Sequence, residues 1–189
     1  MSTPDTRTAL LAEAETLVRT VGYTAFSYAD LSARVGIRKA SVHHHFPTKE
    51  ALGNALIDAY LDRFVADLER LAGRRLQTKN KLLAYGDFFS GGMRDGLMPL
   101  CGALAAGAAD LPISMQGRVK RFFGIHLAWL EGILAHGIDA GEIPQSLKPE
   151  RVALVILSTL QGASLVAWAL KDPKLIRPAL RDVADALIP

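Results

Sequence analysis

Three consecutive histidines, His43, His44 and His45, lie just beyond an adjacent pair of cations, Arg38 and Lys39, and just before Lys49. Histidine is the commonest metal-ligating side chain. Consecutive residues on a helix, however, point about 100° apart and cannot converge on one ion, so no metal site is expected. The surrounding window suits a different chemistry. Between Asp30 and Glu50 there is no acidic residue, whereas Arg34, Arg38, Lys39, Lys49 and the three histidines all fall inside it. A local basic face is what a phosphate backbone needs, because affinity for DNA depends on charge at the contact surface. Catalysis has no comparable signature. Glycine-rich phosphate loops, nucleophile elbows and paired carboxylates are missing from the sequence, and His126 and His136 lie ten residues apart on one predicted helix. Neither an enzyme nor a cofactor is expected.

The elements around the basic window are legible. Leu10, Ala14, Leu17, Val18 and Val21 form a helical stripe stopped by Gly22. Ser27 reads as an N-cap with Asp30 as its capping-box partner, Leu31 and Val35 form the apolar side of a short helix, and Gly36 ends it. Ile37 occupies the turn. A second short helix, about Arg38 to His45, ends before Phe46-Pro47, and Thr48 caps a long helix carrying Leu52, Leu56, Tyr60, Phe64, Leu68 and Leu71 on one face. This is the layout of a helix-turn-helix whose second helix enters the major groove. On that helix Lys39, Ala40, His43 and His44 share one arc, and Val42 points the opposite way as an anchor. Small Ala40 lets the backbone approach the bases, and Lys49 lies in the first turn of the next helix, where backbone N–H groups already favour phosphate.

The stretch from Gly22 to Leu52, including YADLSARVGIRKASVHHHFPTK from Tyr28 to Lys49, resembles the DNA-binding domain of TetR-family repressors, and the match spans nearly all of residues 7–60. The resemblance implies a homodimer with one recognition helix per half-site of a palindromic operator. It further implies release of the DNA when a small molecule binds the C-terminal domain. By position, Tyr28 matches a DNA contact at the start of the second helix, Lys39 and Ala40 the base-reading residues, His43 and His44 contacts to phosphate or bases, and Lys49 a phosphate-binding lysine. Arg38, Ser41 and His45 complete the candidate contact set. His43 departs from the tyrosine usual in the family; an imidazole can still donate to a phosphate.

Past the long helix, Gly73 followed by Arg74, Arg75, Lys79 and Lys81 marks a boundary. The expected domains are therefore 1–50, continuing into a linking helix at 48–72, and 73–189. Further helices are expected near 78–90, 98–109, 113–140, 149–171 and 173–188, separated by Gly91-Gly92, Leu111-Pro112, Gly141 to Pro144 and Asp172-Pro173. The fold class is all-α: a three-helix DNA-binding domain plus a helical bundle, about nine helices in all. Ligand pockets are apolar with a few polar groups, which nominates Phe89, Met93, Cys101, Leu104, Phe123, His126 and Trp129 as effector-binding residues. Tyr85 to His136 holds only Asp87, Arg94, Asp95, Asp110, Arg118, Lys120, Arg121 and Glu131 as charges, so an uncharged or weakly polar effector is expected. Val155, Leu160, Ala163 and Ala167, with Ile176, Leu180, Val183 and Leu187 on the last helix, are the candidate dimer interface, as a four-helix bundle with the partner.

Bulk properties fit this reading. The 189 residues carry a net charge of +3, too small to identify a nucleic-acid binder without the placement above. The single Cys101 excludes an intrachain disulfide and suits a reducing cytosol; sensing of redox state or electrophiles through that thiol is the alternative to reversible ligand binding. Asp5, Glu13 and Glu15 stand where a signal peptide would need an apolar core, so a cytoplasmic location is expected. Val152 to Leu170 runs 19 residues without a charge, long enough to span a membrane. Ser158, Thr159, Gln161, Gly162 and Ser164 dilute its middle, and a buried helix is expected instead.

Overall fold

The computed structural model describes residues 5–91, 93 and 96–188, and among these there are nine α-helices and no strand. They are α1 (Thr6–Val21), α2 (Tyr28–Val35), α3 (Lys39–His45), α4 (Lys49–Ala72), α5 (Thr78–Gly91), α6 (Leu100–Ala106), α7 (Ile113–Asp139), α8 (Pro149–Leu170) and α9 (Ile176–Leu187). Gly92, Arg94 and Asp95, read above as part of a break and as charges, and the side chain of Leu187 lie outside the described residues. The sixth helix is shorter than expected. It stops at Ala106, and a 3-10 turn over Ala108–Asp110 follows, because the Gly107 N–H closes back on Leu104 O rather than continuing the α ladder.

The chain forms two compact units, Met1–Asp62 with Leu100–Arg121, and Arg63–Pro99 with Phe122–Pro189. The boundary thus departs from the break expected at Gly73, and α6 goes with the N-terminal helices. The reason is apolar burial. Leu10, Ala14, Leu17 and Val18 make one face of α1, and α6, which packs on α1, buries Leu100, Cys101 and Leu104. Within the same unit the start of α7 is tied to α4. Arg118 Nε donates to both carboxylate oxygens of Asp58 at 2.9 and 3.1 Å, and Asn54 Nδ2 donates to Ser114 Oγ at 3.0 Å.

The second unit is built on α5, α8 and α9, which pack on one another. Buried positions recur along α8 at Val152, Ala153, Ile156, Leu157, Leu160, Ser164 and Ala167, the spacing of one helical face. Ile176, Leu180 and Ala184 do the same on α9. Alone among the described helices, α8 is long and apolar enough to cross a membrane, and part of that apolar composition goes into the buried stripe. Gly86 sits where α5 meets α9: a Cβ there would fall inside the van der Waals radius of Leu180 Cδ2, with Leu160 Cδ2 3.6 Å away. Both leucines are fully buried and have nowhere to retreat. Gly86→Ala is therefore expected to destabilise by about 1–3 kcal/mol, read as a lowered midpoint in thermal unfolding.

Candidate nucleic-acid interface

The capping box places the first helix of the motif. Ser27 Oγ accepts from the Ala29 and Asp30 N–H groups at 3.2 and 3.4 Å, and the Ser27 N–H donates to Asp30 Oδ2 at 2.7 Å. The Ser27 hydroxyl also donates to Asp30 Oδ2, at 2.8 Å, and this bond with that from the Ser27 N–H holds the Asp30 pKa below its ordinary value. Gly36 closes α2 in the left-handed region, at φ 73°, where a Cβ would be strained. Ala29 to Val35 therefore end in a turn tight enough to send α3 off in a new direction.

Seven residues make α3, and they divide cleanly. Val42 is fully buried and anchors the helix. Lys39, Ala40, His43 and His44 are exposed, as is Arg38 just before the helix, and Ser41 and His45 are half-buried. The arc expected to meet DNA is thus the arc left open, with Ala40 as the low point of that surface.

Two of the expected contacts sit lower. The Tyr28 ring is buried, and its hydroxyl points at two carbonyls, Thr48 O at 2.6 Å and Phe46 O at 2.8 Å. Burial, reinforced by Tyr23, pushes its pKa up to about 12, so the phenol stays protonated and donates. Tyr28 joins the end of α3 to the start of α4 from beneath the open face. His43 leans edge-on against it, with ring centroids 4.8 Å apart, and Nδ1 lies 3.4 Å from Pro47 O. Lys49 is half-buried: its ammonium donates to Phe26 O and stands 4.3 Å from the Phe26 ring centroid and 4.9 Å from that of Tyr23. Burial lowers its pKa. Neither the Tyr28 clamp nor the Phe26–Lys49 contact was legible in the sequence, since both join residues eighteen or more positions apart.

The candidate effector residues are not all brought together. Phe89, Met93, Phe123, His126 and Trp129 belong to the second unit, Cys101 and Leu104 to the first. His126 is buried in a cluster of rings, stacked on Phe64 with centroids 4.2 Å apart and edge-on to Phe122 at 4.2 Å and Phe89 at 5.8 Å. Tyr85, which the sequence reading left out of the set, hydrogen-bonds His126 Nδ1 and stacks on Trp129 with centroids 5.1 Å apart. Burial lowers the His126 pKa to about 3, so the ring is neutral. His126 Nε2 and Trp129 Nε1 are buried with no hydrogen-bond partner among the described residues. A surface cleft of about 510 Å³ in this unit includes Met93 but none of the other expected residues, and is bordered by Ala167, Trp168 and Lys171.

The candidate dimer residues need revision. Leu160, Ala167, Ile176 and Leu180 are buried within the chain: they are its own core, consumed by the packing of α8 on α9, and have no surface to offer a partner. Val155 is exposed and Ala163 and Val183 are half-buried. The opposite face of α8 presents Leu154, Leu165, Val166, Trp168 and Leu170 to solvent. Uniform apolarity from Val152 to Leu170 hid which side faces in.

Residues 10–56 match the family described as bacterial regulatory proteins, tetR family. A regulator of that family from Agrobacterium tumefaciens is 31% identical, with a TM-score of 0.92 and coverage of 97% of this chain and 98% of its own. One from Legionella pneumophila is 30% identical, with a TM-score of 0.89 over 99% and 100% of the two chains. The chain belongs to the TetR family. It is a DNA-binding transcriptional regulator, all-helical, with an N-terminal helix-turn-helix. The HTH-type transcriptional repressor NemR of Escherichia coli is similar more distantly, 25% identical over 97% of this chain and 94% of NemR. Its structure in a reduced form superposes with a TM-score of 0.85.

Proposed function

We propose that this regulator is a homodimeric repressor that binds a palindromic operator through α3 and is released by a small uncharged effector. It is not an enzyme, and it acts in the cytoplasm on double-stranded DNA. The observation carrying the reading is the division of α3: Val42 is fully buried beneath an open arc of Lys39, Ala40, His43 and His44. Residues 1–50, continuing through α4, serve as the DNA-binding domain, and residues 73–189 sense the effector and dimerise. The likeness to NemR, a repressor, favours repression over activation.

Lys39 reads bases, Arg38, Ser41, His43, His44 and His45 hold phosphates or base edges, Lys49 adds a phosphate contact while bracing the face, and Tyr28 braces it from beneath. Lys39→Ala is expected to cost about 1–3 kcal/mol at the operator and to relax its sequence preference. Lys49→Ala should instead weaken binding to every sequence alike, lower the salt slope by about one unit, and lower the melting temperature by removing the donor to Phe26 O. Gel shifts against operator and scrambled duplexes at several salt concentrations separate the two. Parent-like binding by both variants would remove α3 from the interface.

A second reading, thiol sensing, draws support from the likeness to NemR, known in a reduced form. Cys101 itself argues against it. The thiol is fully buried, and burial, with Glu15 adding to it, pushes its pKa far above the ordinary value, away from the thiolate that reacts. Cys101→Ser is expected to leave operator release by electrophiles and by oxidants unchanged in a gel shift; a lost response would restore thiol sensing.

A further inference from the structure

We infer that His126 and Trp129 form a paired hydrogen-bond donor that reads a carbonyl-type oxygen on a neutral, largely apolar effector, with Tyr85 fixing the donor form of His126. The inference rests on the proposal above that the second unit holds an effector site, and it names what that site recognises. Both residues lie on α7 three positions apart, so they share a face of that helix, and both rings lean on Tyr85. Each buries a ring nitrogen that meets no partner among the described residues. Buried polar atoms are nearly always paired, and an unpaired one costs about 1–3 kcal/mol. Two at one aromatic cluster mark a place where a partner from outside the chain belongs.

The chemistry of that partner follows from proton bookkeeping. A neutral imidazole carries one N–H. If the Tyr85 hydroxyl donates to His126 Nδ1, the proton of His126 resides on Nε2 and every hydrogen of the pair except that one is used. The reverse arrangement would leave the Tyr85 proton without an acceptor as well. Tyr85 is fully buried, and burial raises its pKa well above the ordinary value, so it remains a phenol able to donate. Trp129 Nε1–H can only donate. Both open positions are thus N–H groups and call for an acceptor. The rings packed around His126 are Phe64, Phe89, Phe122, Phe123 and Tyr85, all uncharged. A carboxylate would have to shed its water against these rings, none of which carries a charge to offset the loss, and a cation would face two donors. A ketone, ester or quinone oxygen on an apolar body meets the two N–H groups without either cost.

The test uses the full-length protein and three probes of matched shape: 1-acetonaphthone, 1-ethylnaphthalene and 1-naphthoate, titrated by calorimetry. The ketone is expected to bind at least about tenfold more tightly than the hydrocarbon, with the carboxylate weakest. It should also shift the indole N–H resonance of ¹⁵N-labelled Trp129 downfield, the signal being assigned by its loss in Trp129→Phe. His126→Phe keeps an aromatic ring and removes an unpaired donor. It should reduce the preference for ketone over hydrocarbon to about twofold, with a lower melting temperature because the buried Tyr85 hydroxyl loses its acceptor. Trp129→Phe, at a half-buried position, gives the same readout independently should the first variant fold poorly. Equal binding of ketone and hydrocarbon, no binding of either, or a preference untouched by both variants would overturn the inference. Operator release by a small-molecule extract of the host cell, followed in parallel by gel shift, reports separately on the effector reading. Release without ketone preference sinks only the donor pair, and no release by any extract counts against an effector altogether.

Discussion

Replacing Leu154 and Leu165 together with aspartate should yield a folded monomer that no longer holds its operator. Both side chains are more than half exposed, at 55% and 54%, so charge at these positions costs the isolated chain little. The proposed dimer is expected to form across this side of α8, with the two leucines at the contact. The exposed side of α8 combines them with Val155 and Val166 and with the small residues Ser158, Gly162 and Ala169, and carries no charge from Val152 to Leu170. A surface of this kind, apolar and low in relief, is what a two-fold packing of helices requires, and four carboxylates brought together across the axis would oppose it. Two half-sites bound by one dimer gain from effective concentration, so losing the dimer should weaken operator binding by on the order of 10²–10⁴. Sedimentation velocity gives the oligomeric state, circular dichroism the fold, and a gel shift the affinity. A double variant that sediments as the parent does would move the interface off α8.

The second large effect is expected at Val42. The residue has no exposed surface, and its carbonyl accepts from the Phe46 N–H that closes α3. Val42→Ala removes two methyl groups from a closed site, costing about 2 kcal/mol once the transfer and cavity contributions are added. Val42→Asp puts a carboxylate where no counter-charge waits, at a cost of about 3–5 kcal/mol. A seven-residue helix has almost no intrinsic stability, so α3 should detach before the rest of the chain unfolds. The aspartate variant is therefore expected to lose binding to operator and to unrelated DNA together, with most helical signal retained. The alanine variant should bind normally at low temperature and fail at a lower temperature than the parent. Operator binding by Val42→Asp at parental affinity would mean that α3 is not held by this anchor.

These two sites show where sequence was and was not sufficient. Val42 could be assigned to the inward side because α3 is short, amphipathic and bounded by Gly36 and Pro47, so its period had one consistent phase. The Ser27–Asp30 capping box was equally local and formed as its spacing demanded. On α8 the pattern carried no phase at all: apolar residues occupy both sides, and only packing against α5 and α9 decides which side is core. Leu160 and Ala167, expected at the dimer interface, face inward instead. The grouping of rings around His126 was not legible for another reason. Tyr85 and His126 lie forty-one positions apart, and hydrophobic periodicity places each on a buried face without saying which ring meets which. Cys101 was grouped with that cluster on residue type, whereas α6 spends it on α1.

No loop marks the border between the two compact units within α4 or α7: it falls between Asp62 and Arg63 in one helix and between Arg121 and Phe122 in the other. A sensor grafted from a different regulator must then be spliced inside two helices, in register at both. Each residue inserted or deleted at such a seam turns everything beyond it by about 100° and shifts it by about 1.5 Å. Flexible linkers, the usual remedy for an imperfect fusion, fit neither of these seams; the third crossing, from Pro99 to Leu100, lies outside a helix and can take one.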